Sequence, residues 1–196
     1  IRDVLCPAFT DGSVSTRPEE VKRLAAFQTE EGRIRMRLAP HAVYTCSPET
    51  LKKVKALGEE WGVGFHLHLA ETREEDAECR KTYSMSPTKL MDAAGLLGPN
   101  TLLAHAIWLD DEDIACIAER GACCVYNPVS NMKLASGFMP LEKLFRANVT
   151  VALGTDGPSS NNAQDLFREM LVGSLIQKGN TLDPTAANAH TMLWLA

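Results

Sequence analysis

Three apolar, β-prone runs in this chain end in residues that can bind a metal or move a proton. His66-Leu67-His68-Leu69-Ala70-Glu71 supplies two imidazoles and a carboxylate, Leu103-Ala104-His105 a third imidazole, and Leu153-Gly154-Thr155-Asp156 a second carboxylate. Such groups are the ligands of a catalytic zinc, which keeps one position for water and lowers that water's pKa towards about 7. A carboxyl group beside the water can deliver one proton to a substrate nitrogen and another to a departing ammonia. Barrel strands all deliver their C-terminal residues to one face, so three strand ends of this kind in order point to a catalytic site rather than to packing.

The elements that must position these residues alternate between strand and helix. Strand patterns cover 1–6, 34–39, 63–69, 102–106, 123–126 and 149–153. The first helix opens at Thr16-Arg17-Pro18-Glu19, where Thr16 and Glu19 have capping-box spacing. Ser47-Pro48 starts another, with Leu51, Val54 and Leu57 in register and Gly58 near its end. Further helical patterns cover 72–80, 87–94, 111–120, 140–147 and 164–177, and Asp110 and Gly121 bracket the third of these as N-cap and C′ residues should. Alternation of this kind predicts a parallel sheet, and polar residues at several strand ends favour a (β/α)8 barrel over a doubly wound sheet. A complete barrel takes about 250 residues and eight units. Six units are legible here, so the expected fold class is α/β, a TIM barrel without its first two β/α units, in one domain over 1–196.

Composition narrows the function classes. A net charge of −5 without a long basic run argues against nucleic-acid binding and for a small-molecule substrate. No apolar run reaches the roughly 18 residues of a spanning helix, and the first residues lack signal-peptide architecture. Six cysteines, at 6, 46, 79, 116, 123 and 124, form no C-x-x-C pair and sit mostly among apolar residues, which suggests free thiols in a reducing, cytoplasmic setting.

Four strings carry a family resemblance: Ala39-Pro40-His41-Ala42-Val43-Tyr44-Thr45-Cys46-Ser47-Pro48, His66 to Thr72, Asn127-Pro128-Val129-Ser130-Asn131-Met132-Lys133-Leu134-Ala135-Ser136-Gly137, and Gly154-Thr155-Asp156-Gly157. In their order they resemble the amidohydrolase superfamily, and more closely its branch of methylthioadenosine/S-adenosylhomocysteine deaminases and chlorohydrolases. The resemblance covers nearly the whole chain and implies a barrel with one divalent metal, usually zinc with iron the alternative. It makes His68 the metal ligand after the fifth barrel strand and Asp156 the ligand after the eighth. Glu71 matches the proton-shuttling Glu, and His105 the sixth-strand His beside the metal-bound water. His41, after the fourth strand, and Arg17, entering the preceding helix, match residues that contact substrate. A positive Arg17 and a hydrogen-bonding His41 suit the polar edge of a heterocycle.

One departure from the family pattern is plain: no H-x-H pair precedes these motifs. His66 and His68 have that spacing, but the Glu71 context assigns them to the fifth strand, and His66 reads as a hydrogen-bonded structural residue. The expectation is that the first two strands, with the H-x-H pair, lie outside this sequence. Asn127, Ser130 and Asn131 either line the pocket or brace it, and His190 carries no signal. The resemblance implies a hydrolytic deaminase of an adenosine-like nucleoside, attacking with a metal-bound hydroxide. The alternatives are a chlorohydrolase or a guanine or cytosine deaminase and, from another class, an inactive barrel fragment stabilised by self-association, since exposed sheet edges invite pairing.

Overall fold

A computed structural model describes residues 3–5, 8–12 and 34–196. Its strands are β1 (Asp3–Leu5), β2 (Ala8–Phe9), β3 (Ile34–Pro40), β4 (Gly64–Leu69), β5 (Thr101–His105), β6 (Cys123–Tyr126) and β7 (Val151–Leu153). All pair in parallel, in the order β1-β3-β4-β5-β6-β7, with β2 also pairing with β3. The order follows the chain without reversing, so the sheet has no switch point of the doubly wound kind. Of the run predicted as a strand over 1–6, residues 3–5 form β1; β2 lies just beyond it and was not predicted. The helix predicted to open at Thr16, and Arg17 with it, lie outside the described residues.

Helices α1 (Pro48–Trp61), α2 (Arg73–Tyr83), α3 (Pro87–Ala93), α4 (Asp111–Arg120), α5 (Pro128–Lys133), α6 (Leu141–Arg146), α7 (Pro158–Asn161), α8 (Leu166–Thr181) and α9 (Ala189–Leu195) connect and follow the strands. The capping residues read from sequence perform as expected. Ser47 accepts from the Thr50 N–H at the start of α1, and Asp110 and Asp113 form a reciprocal capping box at the start of α4, which Gly121 closes at φ 70°. Gly58 differs: it lies inside α1, which runs on to a left-handed Gly62. A Cβ at Gly58 would come within 2.5 Å of the Phe65 ring, so the glycine serves close helix–sheet approach and not termination. The six-residue α5 and four-residue α7 escape prediction because such segments are too short to show a helical period.

Alternation along the strands separates two faces of the sheet. Phe65, Leu67 and Leu69 of β4, with Leu38, Leu103 and Cys124 of neighbouring strands, are buried and join one apolar cluster with helix residues such as Leu51, Met91 and Ile117. The opposite face carries Gly64, His66 and His68, aligned through the parallel register with Leu102 and Ala104, then Val125, then Ala152. Among the described residues, no helix is long and apolar enough to cross a membrane. The five described cysteines are free thiols.

Candidate active site

Four strand ends converge at the C-terminal edge of this second face. His41 directly follows β3, His68 lies in the last turn of the β4 pleat, His105 ends β5, and Asp156 stands three residues beyond β7. His41, His68 and Asp156 border a cavity of about 440 Å³, lined also by His66, Asn127 and Thr155 among others. That volume lies within the range of small-molecule sites, about 300–1,000 Å³. His66 faces the cavity one pleat below His68, and burial, with His68 and Arg37 nearby, pushes its pKa below 6.5.

At three of the four strand ends the backbone is bent in a way the sequence does not announce. Ala70, His105, Ala106 and Asp156 have φ values of 47°, 73°, 46° and 60°, left-handed geometry that non-glycine residues adopt at a cost of about 1–3 kcal/mol each. Strand alternation alone would send His105 to the helix side with Leu103. The left-handed turn instead brings its ring parallel to that of His68, with centroids 5.3 Å apart. The Ile107 and Trp108 N–H groups both donate to the Ala70 carbonyl, tying the end of β4 to the end of β5.

Hydrogen bonds fix which ring atoms are free. His68 Nδ1 lies 3.0 Å from the His41 carbonyl, which can only accept, so Nδ1 carries the proton and Nε2 the lone pair. His105 Nδ1 donates in the same way to Asn131 Oδ1 at 2.8 Å. His105 Nε2 then faces Glu71 Oε2 at 3.8 Å and Asp156 Oδ2 at 4.0 Å. His41 Nδ1 donates to Thr45 Oγ1 at 2.9 Å, the hydroxyl passing its own proton to the Ala42 carbonyl. Burial and the neighbouring His68 hold the His41 pKa below 6.5, so its ring is neutral at pH 7.

The carboxylates are held as firmly. Burial opposes ionisation of Asp156, but hydroxyl donors Ser130 and Ser160, at 2.6 and 2.7 Å from Oδ2, and the Gly157 N–H, 2.7 Å from Oδ1, outweigh it and lower its pKa. Glu71 Oε1 accepts from Ser136 at 3.2 Å. Its backbone N–H, with that of Ala70, donates to the carboxylate of Glu75, at 2.8 and 3.2 Å. Glu75 is buried, not part of the solvated acidic face that a run of Glu74, Glu75 and Asp76 suggests. Burial raises its pKa even though the Glu71 and Ala70 N–H groups pull the other way.

His68, His105 and Asp156 each present one ligand atom, all within 4.8 Å of one another. Two imidazole nitrogens and an ionised carboxylate are a donor set suited to zinc or a neighbouring transition metal, and His68 is already oriented by the His41 carbonyl as metal-binding imidazoles are. The residues therefore fit such an ion. The structure brings together five of the residues singled out from sequence, His41, His68, Glu71, His105 and Asp156. It assigns Ser130 and Asn131 to bracing contacts and Asn127 to the cavity lining. Sequence reasoning missed Ser136 and Ser160, whose donor roles leave no spacing signal, and Glu75, whose T-x-x-E relation to Thr72 was one.

A parallel sheet with His and Asp side chains gathered at its C-terminal strand ends defines a class, and the family comparison agrees: residues 3–193 match the amidohydrolase family, to which this chain belongs. It is 41% identical over 201 residues to a 5'-deoxyadenosine deaminase of Methanopyrus kandleri, covering 100% of this chain and 47% of that protein. It is 46% identical over 159 residues to a 5-methylthioadenosine/S-adenosylhomocysteine deaminase of Pyrococcus furiosus, covering 81% of this chain and 38% of that one. Among solved structures, an adenosine deaminase of Xanthomonas campestris with bound zinc superposes with a TM-score of 0.91 at 32% identity, over 100% of this chain and 46% of that one. The chain thus spans about half the length, or less, of the relatives it matches.

Proposed function

We propose that residues 1–196 form the third to eighth units of a closed (β/α)8 catalytic domain that hydrolytically deaminates an adenosine-like nucleoside of the methylthioadenosine, S-adenosylhomocysteine or 5'-deoxyadenosine type. The observation that carries the proposal is the position of His105 Nε2, 3.8 Å from the Glu71 carboxylate and 4.0 Å from that of Asp156, beside the His68 donor. Deaminase names on relatives at 41% and 46% identity favour it over the chlorohydrolase, guanine and cytosine alternatives.

His68 and Asp156 would hold a divalent metal, zinc foremost and iron the alternative, and such an ion when bound would make hydroxide available near neutral pH by lowering the pKa of water. The side chains do the rest. Asp156, kept ionised by its three donors, accepts the proton released as water attacks the amino-bearing ring carbon. The lone pair on His105 Nε2, between the Glu71 and Asp156 carboxylates, would accept a hydrogen bond from the attacking water and orient it. Glu71 in its acid form delivers its proton to the ring nitrogen, is recharged with the proton that Asp156 took from water and passes this one to the departing amine. The C–N bond breaks as the C–O bond becomes a carbonyl, ammonia leaves, and the remaining hydroxyl proton returns to Glu71. His41 presents its second ring nitrogen to the substrate, and Arg17 is assigned the same task. The setting is cytoplasmic in this proposal.

The test uses the longest chain that the coding region supports. One equivalent of metal, lost in His68→Ala, together with ammonia release from 5'-deoxyadenosine or methylthioadenosine, is the expected result. Turnover of guanine, cytosine or a chlorotriazine alone would overturn the substrate assignment, and absence of both metal and turnover would overturn the enzyme. One observation favours self-association as a second reading. Phe167, Leu171 and Leu175 are 78%, 62% and 59% exposed at i, i+4 and i+8 of α8, and Trp194 of α9 is 78% exposed. Gel filtration showing a monomer would remove it.

A further inference from the structure

Glu169, in the first turn of α8, is completely buried, and a buried carboxylate is tolerated only where its oxygens are satisfied. Its Oε2 accepts from the Val129 N–H at 3.0 Å and its Oε1 from Asn161 Nδ2 at 2.5 Å. Val129 precedes Ser130 in α5, and Asn161 follows Ser160 in α7. These are the two serines whose hydroxyls converge on Asp156 Oδ2. Asn161 has no spare capacity: its other amide hydrogen goes to the Thr155 carbonyl at 2.6 Å, and its Oδ1 accepts from the Ala163 and Gln164 N–H groups at 3.3 and 3.0 Å.

We infer that Glu169 is a positioning residue for Asp156: one carboxylate ties down both short helices that lend Asp156 its hydroxyl donors, and so sets the direction of the carboxylate offered to the metal. The inference rests on the proposed metal-dependent function. Asp156 benefits from such support, because its left-handed backbone, φ 60°, still costs more than the extended or right-handed alternatives. The Thr155 carbonyl, one residue away, is fixed by the same Asn161 that Glu169 holds. Glutamine cannot replace Glu169 neutrally. Both of its partners are donors, and Asn161 cannot turn its amide over without abandoning the Ala163 and Gln164 N–H groups, so the Gln amide nitrogen must meet one donor head-on.

The experiment compares wild type, Glu169→Gln and the double variant Ser130→Ala/Ser160→Ala, in the longest chain the coding region supports, by zinc titration, steady-state kinetics and amide hydrogen exchange. Residues that orient metal ligands cost about 10–100-fold in metal affinity or activity when changed. Both variants should weaken zinc binding by that factor and lower kcat with little change in KM. Exchange should accelerate at Gly157, whose N–H binds Asp156 Oδ1, while β4 amides keep their protection. Adding Glu169→Gln to the double serine variant should weaken zinc little further, because the two act through one link. Wild-type zinc affinity in the serine double variant overturns the inference even if Glu169→Gln fails to fold. Uniformly faster exchange in Glu169→Gln, with zinc affinity intact, overturns it too by making the role structural. A wild-type protein that binds zinc but releases no ammonia defeats the proposed function alone. If wild type binds no zinc, exchange at Gly157 decides: unchanged protection in the serine double variant and in Glu169→Gln overturns the inference, and selective loss in both supports it.

Discussion

Two buried glutamates brace this site, one at each end, and they do it differently. Glu75 in α2 reaches back four and five residues to the N–H groups of Glu71 and Ala70, so a single local turn holds the backbone that carries Glu71. Glu169 in α8 reaches eight residues back to Asn161 and 40 to Val129, joining segments that only the folded sheet brings together. The contrast suggests a division of labour. The local brace serves the group assigned to proton transfer, and the long-range brace serves the group assigned to the metal. A proton donor need only lie within reach of the substrate, whereas a ligand must meet a fixed coordination geometry, which takes anchors from more than one element.

The comparison is tested most severely at the two residues being held. Glu71→Gln should lower kcat by about 10²–10⁴-fold, the usual contribution of a general acid or base, with one equivalent of metal retained. Asp156→Asn should lose metal and activity together. Metal analysis alongside ammonia release separates the two, and loss of metal from Glu71→Gln would erase the proposed division.

At the braces the expected effects are smaller. Glu75→Ala leaves two buried N–H groups without acceptors, which should cost about 1–3 kcal/mol for each that stays dry. Urea unfolding measures this. The variant should also lower kcat, through the displaced Glu71 backbone, with zinc affinity unchanged. An equal loss of zinc affinity in Glu75→Ala and Glu169→Gln would show that the braces act as one scaffold.

The two braces also mark how far a sequence can be read. His68, Glu71, His105 and Asp156 were legible because each stands at or just beyond the end of an apolar run, where strand period and polar residue meet. Glu75 was half legible: Thr72 and Glu75 have capping-box spacing, and Thr72 does accept from the Glu75 N–H at 3.1 Å, but the buried carboxylate turns past the cap to Glu71 and Ala70. Glu169 gave no sign, since no local spacing encodes a bond across 40 residues. Nor did the left-handed backbone at His105 and Ala106, where the sequence offers no glycine to announce it. Gly58 misled for the opposite reason, having the residue type of a helix end and the job of a packing contact.

A further separation comes from pH. Burial raises the pKa of Glu169 above its ordinary 4.5, against the pull of the Val129 N–H and the Asn161 amide, so the folded chain keeps that proton to higher pH than the unfolded chain does. In that window the native state binds more protons, and stability therefore falls as pH rises from about 4.5 towards the folded pKa. Glutamine does not titrate. The stability cost of Glu169→Gln should thus be greatest below pH 4.5 and shrink as pH climbs through the window, as read from urea unfolding of both proteins at several pH values. A cost that grows with pH would mean that the donors around Glu169 stabilise its charge more than burial penalises it.

The smallest expected effect is at Ser136, which touches Glu71 from the loop that follows α5. Its hydroxyl donates to Glu71 Oε1 at 3.2 Å, while its backbone carbonyl accepts from Trp108 Nε1 at 2.8 Å and its N–H donates to Asn131 at 2.8 Å. Ser136→Ala removes only the first of these, so the loop should stay in place and stability should change by about 0.5–1.5 kcal/mol at most. Its kinetic effect should be a few-fold on kcat, because Glu71 keeps the Glu75 brace on its backbone. A loss as large as that of Glu71→Gln would show that Ser136, and not the local turn, holds the proton-carrying side chain, and the contrast between the two ends of the site would reverse.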